Sequence, residues 1–154
     1  MTPENALHRT AALCSRSEQC EADLRLKLTA WGIGCDDADA IIARLKTGNF
    51  LCDNRYAHAF VRDKFRFGGW GRIKIAYALR MKHIAADVID EALCEIAEED
   101  YHSTLLNALR AKLRSVAGRE PVQRRAALFR FAASRGFEPD VISQAINEIL
   151  KKDI

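Results

Sequence analysis

The chain has 154 residues, of which 49% are hydrophobic and 29% are charged, and its formal net charge is +3. This balance is typical of one globular domain or a short repeat array, and it excludes an intrinsically disordered tail. No apolar run approaches the roughly 18 residues of a membrane-spanning helix, and the first five residues show no start of a secretory signal. We therefore expect a cytoplasmic protein.

Three helices are predicted in residues 1–50. The first covers 4–14, and the second covers 18–31, with Ser17 at its start. Gly32 ends the second helix, because glycine adopts the left-handed closing conformation without strain. Three aspartates open the third helix, since carboxylates complement the positive end of a helix. The apolar side chains expected to face inward are Leu7, Ala11, Cys14, Leu24, Leu28, Ile41, Ile42 and Leu45.

Residues 51–98 repeat this plan. Asp53 is a candidate N-cap for a helix whose inward face is Tyr56, Ala57, Phe60 and Val61. A glycine-rich turn over 67–71 leads to a helix that closes at His83, one of the few residue types other than glycine that tolerate positive φ. Asp87 then opens the third helix of this segment.

Residues 99–154 repeat it once more. Their first helix shows an amphipathic stripe of four leucines. Pro121 is expected at the start of the next helix, where its missing N–H is harmless, and Gly136 closes that helix. Pro139 begins the last helix. The leucines of the stripe are Leu105, Leu106, Leu109 and Leu113.

One pattern recurs in all three segments. Two apolar residues four apart are followed by a chain-reversing residue and then by another apolar residue. The nearly constant spacing predicts an all-α fold, an elongated, curved array of three tandem three-helix repeats over 1–50, 51–98 and 99–154. The pattern is Leu24, Leu28, Gly32, Ile33; then Ile75, Leu79, His83, Ile84; then Leu128, Ala132, Gly136, Phe137.

Charge is distributed unevenly along the chain. Residues 62–82 contain seven bases and one acid, residues 85–100 seven acids and no base, and residues 110–135 eight bases and one acid. Charge runs are usually solvated helix faces, but this density favours a polyanionic or acidic partner. Helical spacing also places three like charges on one stripe, which repel one another unless a partner supplies counter-charge. They are Arg55, Arg62 and Arg66.

The stretch 64–72 alternates basic and aromatic residues around a glycine-rich turn. In one interpretation, Phe65 or Phe67 covers the local core together with Trp70, while the bases reach into water. In the other, Trp70 and the bases form a contact patch, since Trp and Arg dominate binding hot spots. The candidate partner- or DNA-binding residues are Arg55, Arg62, Arg66, Trp70, Arg72, Lys74, Arg80, Lys82, Arg124, Arg125 and Arg130.

Signals for chemistry are weak. The chain has no nucleophile elbow, no P-loop and no zinc-protease motif, and no strand pattern precedes the glycines at 68–71 that could make them a phosphate cradle. Glu99 and His102 have the spacing of two metal ligands on a helix, but the second such pair of a di-iron bundle is missing. We expect no catalytic residue, no cofactor and no bound metal; a metal-dependent enzyme resting on these two residues is the alternative.

The five cysteines form no C-x-x-C pair, so neither a disulfide framework nor a zinc site is expected. Most of them are predicted to be small buried hydrophobes in a reducing compartment, with a redox-sensing thiol as the alternative. They are Cys14, Cys20, Cys35, Cys52 and Cys94.

Two segments resemble the RecX family of recombination regulators. The run from Leu45 to Val61 is similar to that family's signature, in which a leucine and then a glycine precede the pattern L-x-D-x-R-[FY]-A-x-x-[FY]-[IV]. Here Leu45 and Gly48 precede the run that starts at Leu51. The run from Gly71 to Ile84 is similar to its G-x-x-x-I-x-x-x-L-x-x-K-G-I stretch. The resemblance covers about 17–150, with Lys64 in place of the usual arginine and His83 in place of the usual glycine.

This resemblance implies a regulator of homologous recombination, DNA repair and the SOS response. It implies binding to the RecA recombinase within the groove of its filament on single-stranded DNA. It also implies inhibition of ATP hydrolysis, strand exchange and coprotease activity. Apart from the resemblance, we expect a monomer without a membrane partner. The alternative is a helical-repeat module that binds nucleic acid, such as single-stranded DNA, directly and without RecA.

Overall fold

The computed structural model describes residues 1–151, in which nine α-helices and no strand occur. The all-α repeat fold predicted from the sequence is confirmed. No helix in the described range is both long and apolar enough to cross a membrane. The helices are α1 (Pro3–Arg16), α2 (Glu21–Ala30), α3 (Cys35–Thr47), α4 (Asp53–Arg66), α5 (Arg72–Met81), α6 (Ala86–Leu93), α7 (Glu98–Val116), α8 (Pro121–Ser134) and α9 (Pro139–Lys151).

The closing turn predicted three times is present three times. Gly32, His83 and Gly136 all have positive φ, of 78°, 60° and 93°. In each turn the next residue donates its backbone N–H to the carbonyl five positions earlier, the bond that closes a Schellman motif. The three bonds are Ile33 to Leu28 (3.0 Å), Ile84 to Leu79 (3.1 Å) and Phe137 to Ala132 (3.3 Å). The apolar residues preceding these turns are fully buried.

Replacing His83 by glycine is expected to stabilise the protein by about 1 kcal/mol, because a residue with a Cβ is strained at positive φ. His83 is exposed, so little packing is lost. The reverse exchange, Gly32→His, meets open space at the new Cβ and is expected to destabilise by a similar amount. Urea denaturation measures both; a loss of stability in His83→Gly would contradict the strain argument.

The described chain divides into two compact units. Unit 1 comprises Met1–Phe60 and Ala78–Ala92, and unit 2 comprises Val61–Tyr77 and the chain from Leu93 onward. In unit 1, α1 and α2 pack on α3; in unit 2, α7, α8 and α9 pack on one another. Both α4 and α5 contribute residues to each unit. The three repeat boundaries stay a prediction, and residues 152–154 of the predicted third repeat lie outside the described range.

The start of α2 differs from the prediction. The helix begins at Glu21 rather than just after Ser17, and Cys20 in the N-cap position makes no side-chain capping bond. Instead the backbone N–H of Glu21 donates to Oδ1 of Asp53 at 3.4 Å. Asp53 is itself the first residue of α4, where the carbonyl of Cys52 accepts the first helical hydrogen bond. The predicted N-cap of α4 therefore caps α2.

In the core of unit 1, the inward residues predicted for α2 and α3 are buried, but the face of α1 is rotated. Ala6 and Thr10 are the fully buried residues of α1, whereas the predicted Leu7, Ala11 and Cys14 are only partly buried. The Thr10 hydroxyl donates to the carbonyl of Ala6 at 2.9 Å, so its burial leaves no unsatisfied polar atom.

In unit 2, the leucine stripe of α7 is confirmed for Leu105, Leu106 and Leu109, while Leu113 is partly buried. Tyr101 on the same helix is 1% exposed, which the apolar pattern does not predict. Its hydroxyl has polar partners described below.

The cysteine prediction holds in part. Cys20 is buried, and Cys14 and Cys52 are partly buried, but Cys35 and Cys94 are exposed. Burial raises the pKa of both the Cys14 and the Cys20 thiol, so neither is activated as a thiolate.

Candidate interaction surface

The turn before α5 packs directly on the turn after α8, within unit 2. The Gly71 N–H donates to the Arg135 carbonyl at 2.7 Å, and the Ile73 N–H donates to the Gly136 carbonyl at 2.9 Å. The backbone N–H of Arg72 donates to the Tyr101 hydroxyl at 2.9 Å. These first N–H groups of α5 would otherwise make an anion site, as helix N-termini do. Because protein groups occupy them, the turn is not a phosphate cradle.

The Arg72 side chain is held by two carboxylates. Its guanidinium nitrogens lie 2.9 Å from Glu138 Oε2 and 2.6 Å from Glu98 Oε1, and its Cζ lies 3.9 Å from the centroid of the Tyr101 ring. The Tyr101 hydroxyl in turn donates to Glu138 Oε1. Only 21% of the Arg72 side chain is exposed. Arg72 therefore ties the start of α5 to α7 and to the α8–α9 turn, and its donors are engaged inside unit 2.

Trp70 is partly buried and is surrounded by positive charge. The Nζ atoms of Lys64 and Lys74 lie 4.9 Å and 4.3 Å from the centroid of its ring. Such cation–π contacts hold the two ammonium groups beside the indole. Trp70 thus presents a cationic surface rather than an uncovered stacking platform.

The two phenylalanines of this stretch differ. Phe65 stacks on Tyr101 with ring centroids 6.0 Å apart, which supports the core interpretation for that residue. Phe67, by contrast, is 87% exposed and does not cover the core. In the sequence, Phe65 stands between two bases inside α4 and four positions after the buried Val61, whereas Phe67 is followed by Gly68 and lies just beyond the end of the helix.

In unit 1, two predicted contact residues have intramolecular partners. Arg55 Nε lies 2.9 Å from Glu18 Oε1, and its other nitrogens donate to Asn49 and to the Phe50 carbonyl. Lys82 Nζ lies 2.9 Å from Asp23 Oδ1, and this hydrogen bond raises the pKa of the Lys82 ammonium. Both side chains therefore hold unit 1 together. The third predicted residue here, Arg80, is exposed.

The prediction that the arginine stripe lacks counter-charge is wrong for two of its three members. Arg55 has Glu18, and Arg62 Nη1 lies 3.7 Å from Glu95 Oε1. For Arg66, no carboxylate of residues 1–151 lies within ion-pair distance. The argument from repulsion therefore applies to Arg66 alone.

On α8 the predicted arginines are held differently. Arg125 Nη2 donates to Asn147 Oδ1 at 2.6 Å, and Arg124 has a buried Nε without a hydrogen-bond partner in the described chain. Arg130 is exposed and lines an open cavity of about 350 Å³. We call this surface the α8 face. Its lining contains no acidic residue: Arg119, Val122, Gln123, Ala126 and Arg130.

A second surface of unit 2 lies between α4 and α7. Two cavities, of about 280 Å³ and 490 Å³, share Phe65, Arg66 and Asp100, and together they form what we call the α4–α7 groove. The sequence pointed to Arg62 and Arg66 but missed the α7 side of the groove. Its α7 residues recur at helical spacing, a signal that identifies a polar face but not its function: Asp100, Ser103, Thr104 and Asn107.

The Glu99–His102 pair is not brought together as a metal site. The His102 ring Nε2 lies 2.7 Å from Glu148 Oε2 of α9. Within the described residues, no three His, Cys, Asp or Glu side chains form a group that could hold a metal ion.

Comparison with known proteins identifies relatives. Two family models match, the second three-helix domain of RecX over residues 53–93 and the third over residues 98–146. The regulatory protein RecX of Prosthecochloris aestuarii is 31% identical over 145 residues, which cover 94% of this chain and 93% of that protein. The regulatory protein RecX of Clostridium botulinum (strain Eklund 17B) is 32% identical over 141 residues, 90% of this chain and 66% of the relative.

Solved structures agree on the fold. The crystal structure of RecX from Lactobacillus salivarius has a TM-score of 0.86 and 18% identity, over 95% of each chain. A further crystal structure of regulatory protein RecX also has a TM-score of 0.86, with 21% identity, over 94% of this chain and 73% of the other.

Proposed function

Because this chain belongs to the RecX family of regulatory proteins, we propose that it binds the filament of RecA on single-stranded DNA. There it inhibits ATP hydrolysis, strand exchange and coprotease activity, and so restrains recombination and DNA repair in the cytoplasm. The observation that carries the proposal is the 31% identity to a RecX protein along nearly the full length of both chains. Arg66 and Arg130 of unit 2 support it, since they are exposed, have no carboxylate partner within the described part of the chain and suit an acidic partner.

The contact set proposed for this function remains the eleven residues named from the sequence, now ranked by their surroundings. Arg66, Arg80 and Arg130 are exposed and have no carboxylate partner within residues 1–151, so they can bind a partner without first breaking an ion pair. Lys74 and Trp70 offer a joined cationic surface. The other members would have to exchange an intramolecular partner or shift: Arg55, Arg62, Arg72, Lys82, Arg124 and Arg125.

The direct test is RecA ATPase activity on single-stranded DNA with added protein. The wild type is expected to inhibit at micromolar concentration. Arg130→Glu is expected to raise the half-inhibitory concentration about tenfold, equivalent to about 1.4 kcal/mol, because it reverses a charge at the contact surface. Arg44→Glu, an exposed arginine of α3, makes the same change in net charge as a control. Absence of inhibition by the wild type would refute the proposal.

The α8 face favours a second candidate function, direct binding of nucleic acid without RecA. Among the described residues, the lining of its cavity carries Arg119 and Arg130 and no carboxylate, so the lining itself would attract phosphates. Fluorescence anisotropy with labelled oligonucleotides distinguishes the two. Tight, steeply salt-dependent binding that RecA does not change would favour this candidate, since phosphate contacts release counterions.

A further inference from the structure

The α4–α7 groove differs from the α8 face in its charges. Its walls carry Arg62 and Arg66 from α4 and also Glu95 and Asp100 from the chain leading into and along α7. Arg62 is already paired with Glu95. Within residues 1–151, Arg66 has no carboxylate partner and Asp100 has no basic partner, and both line the groove. A phosphate chain lying here would pass close to these carboxylates and be repelled. A protein segment would not be repelled, because it can carry charges of both signs and polar backbone groups.

The groove also offers apolar and hydrogen-bonding surface. Ile96 and the partly exposed Phe65 form apolar parts of its lining, and Phe67 stands at the other end with 87% of its surface exposed. Ser103 and Asn107 of α7 supply side-chain donors and acceptors beside it. An exposed aromatic ring next to an arginine is the composition of a protein–protein hot spot, in which apolar burial and a charge-assisted hydrogen bond act together.

From this charge pattern we propose that the α4–α7 groove binds a protein segment in which an acidic side chain neighbours an apolar one. The carboxylate pairs with Arg66, the apolar side chain packs on Phe67, and a donor of the same segment meets Asp100. The groove is thus a protein contact separate from any nucleic-acid contact. The inference rests on the proposed function, because it assigns this segment to the protein component of the filament.

The test uses the full chain and two probes, a fluorescent oligo-dT and the RecA filament assembled on oligo-dT. Phe67→Ser is expected to weaken filament binding at least tenfold and to leave oligo-dT binding within twofold. Because the ring is exposed, the variant is expected to stay folded, which circular dichroism checks. Leu26→Ser is the matched control, because Leu26 on α2 is also a strongly exposed apolar residue. This variant is expected to bind both probes like the wild type.

Arg66→Glu supplies an independent variant, with Arg44→Glu as its charge-matched control, and the same two binding constants are measured. It too is expected to lose filament affinity tenfold or more while oligo-dT affinity falls no more than in Arg44→Glu. Equal losses for both probes would make the groove a nucleic-acid site and overturn the inference. So would unchanged filament binding by Phe67→Ser and Arg66→Glu while the wild type binds. If the wild type itself does not bind the filament, the proposed function fails together with this inference. In the two outcomes above the wild type does bind the filament, so a failure of the inference alone can be told apart from a failure of the proposed function.

Discussion

Replacing Gly71 by alanine is expected to destabilise the protein by about 3 kcal/mol or more. An alanine Cβ would lie 2.4 Å from the carbonyl carbon and oxygen of Gly136 and 2.5 Å from the nitrogen of Phe137. These are backbone atoms, so no side-chain rotation relieves the overlap, and the two turns must move apart. Separation would also break the hydrogen bonds from Gly71 and Ile73 to the α8–α9 turn, each worth about 1 kcal/mol.

The glycines of this chain supply the controls for that experiment. In Gly118→Ala the new Cβ meets open space, and the backbone φ is one that any residue adopts. This variant is expected to change the free energy of unfolding by less than about 0.5 kcal/mol. Gly32→Ala meets open space at positive φ, so strain alone is expected to cost about 1 kcal/mol. Denaturant titration of the three variants compares them. If Gly71→Ala were no less stable than Gly32→Ala, the close approach of the two backbones would be disproved as the reason for this glycine.

Gly71 illustrates what the sequence could and could not predict. It lies in one of the segments that resemble the RecX family, and its local context predicts a turn. The reason for a glycine there is the backbone of Gly136, which stands far along the chain. Helix capping and hydrophobic periodicity depend on residues no more than about four or five positions apart, and they predicted the helix order and the three closing turns. They carry no information on which of these turns pack against each other.

The same limit applies to the charged residues. The sequence identified the basic blocks, and it pointed to Arg66 and Arg72 with equal weight. Packing separates the two: Arg72 is held by Glu98 and Glu138, while no carboxylate of the described chain pairs with Arg66. Charge density in the sequence therefore predicts where cations lie. Which cations a partner can use depends on long-range neighbours, just as the cap that Asp53 supplies to α2 does.

The free energy of unfolding is expected to fall as the pH rises above about 10, with Tyr101 as a main cause. Burial, together with the hydrogen bond that its hydroxyl donates to Glu138, raises the pKa of Tyr101 above the ordinary value of 10.0. The unfolded chain then loses the phenolic proton at a lower pH than the native protein does. Because the unfolded state binds fewer protons in this range, stability decreases with pH, by at most about 1.4 kcal/mol per pH unit for one tyrosine. Burial likewise raises the pKa of Tyr56 in unit 1.

Tyr101→Phe tests this by removing the proton while keeping the ring. At pH 8 the variant is expected to be less stable by about 2 kcal/mol, because the Arg72 N–H and the Glu138 carboxylate each lose a partner. Between pH 10 and 11 its stability is expected to fall less steeply than that of the wild type, so the two curves converge. Tyr56→Phe acts in the other unit and serves as the comparison, and urea denaturation at each pH gives the slopes. Parallel curves of stability against pH for the wild type and Tyr101→Phe would show that the Tyr101 hydroxyl ionises equally in the native and unfolded states. The hydrogen-bonded cluster around Arg72 would then not hold the phenolic proton of Tyr101.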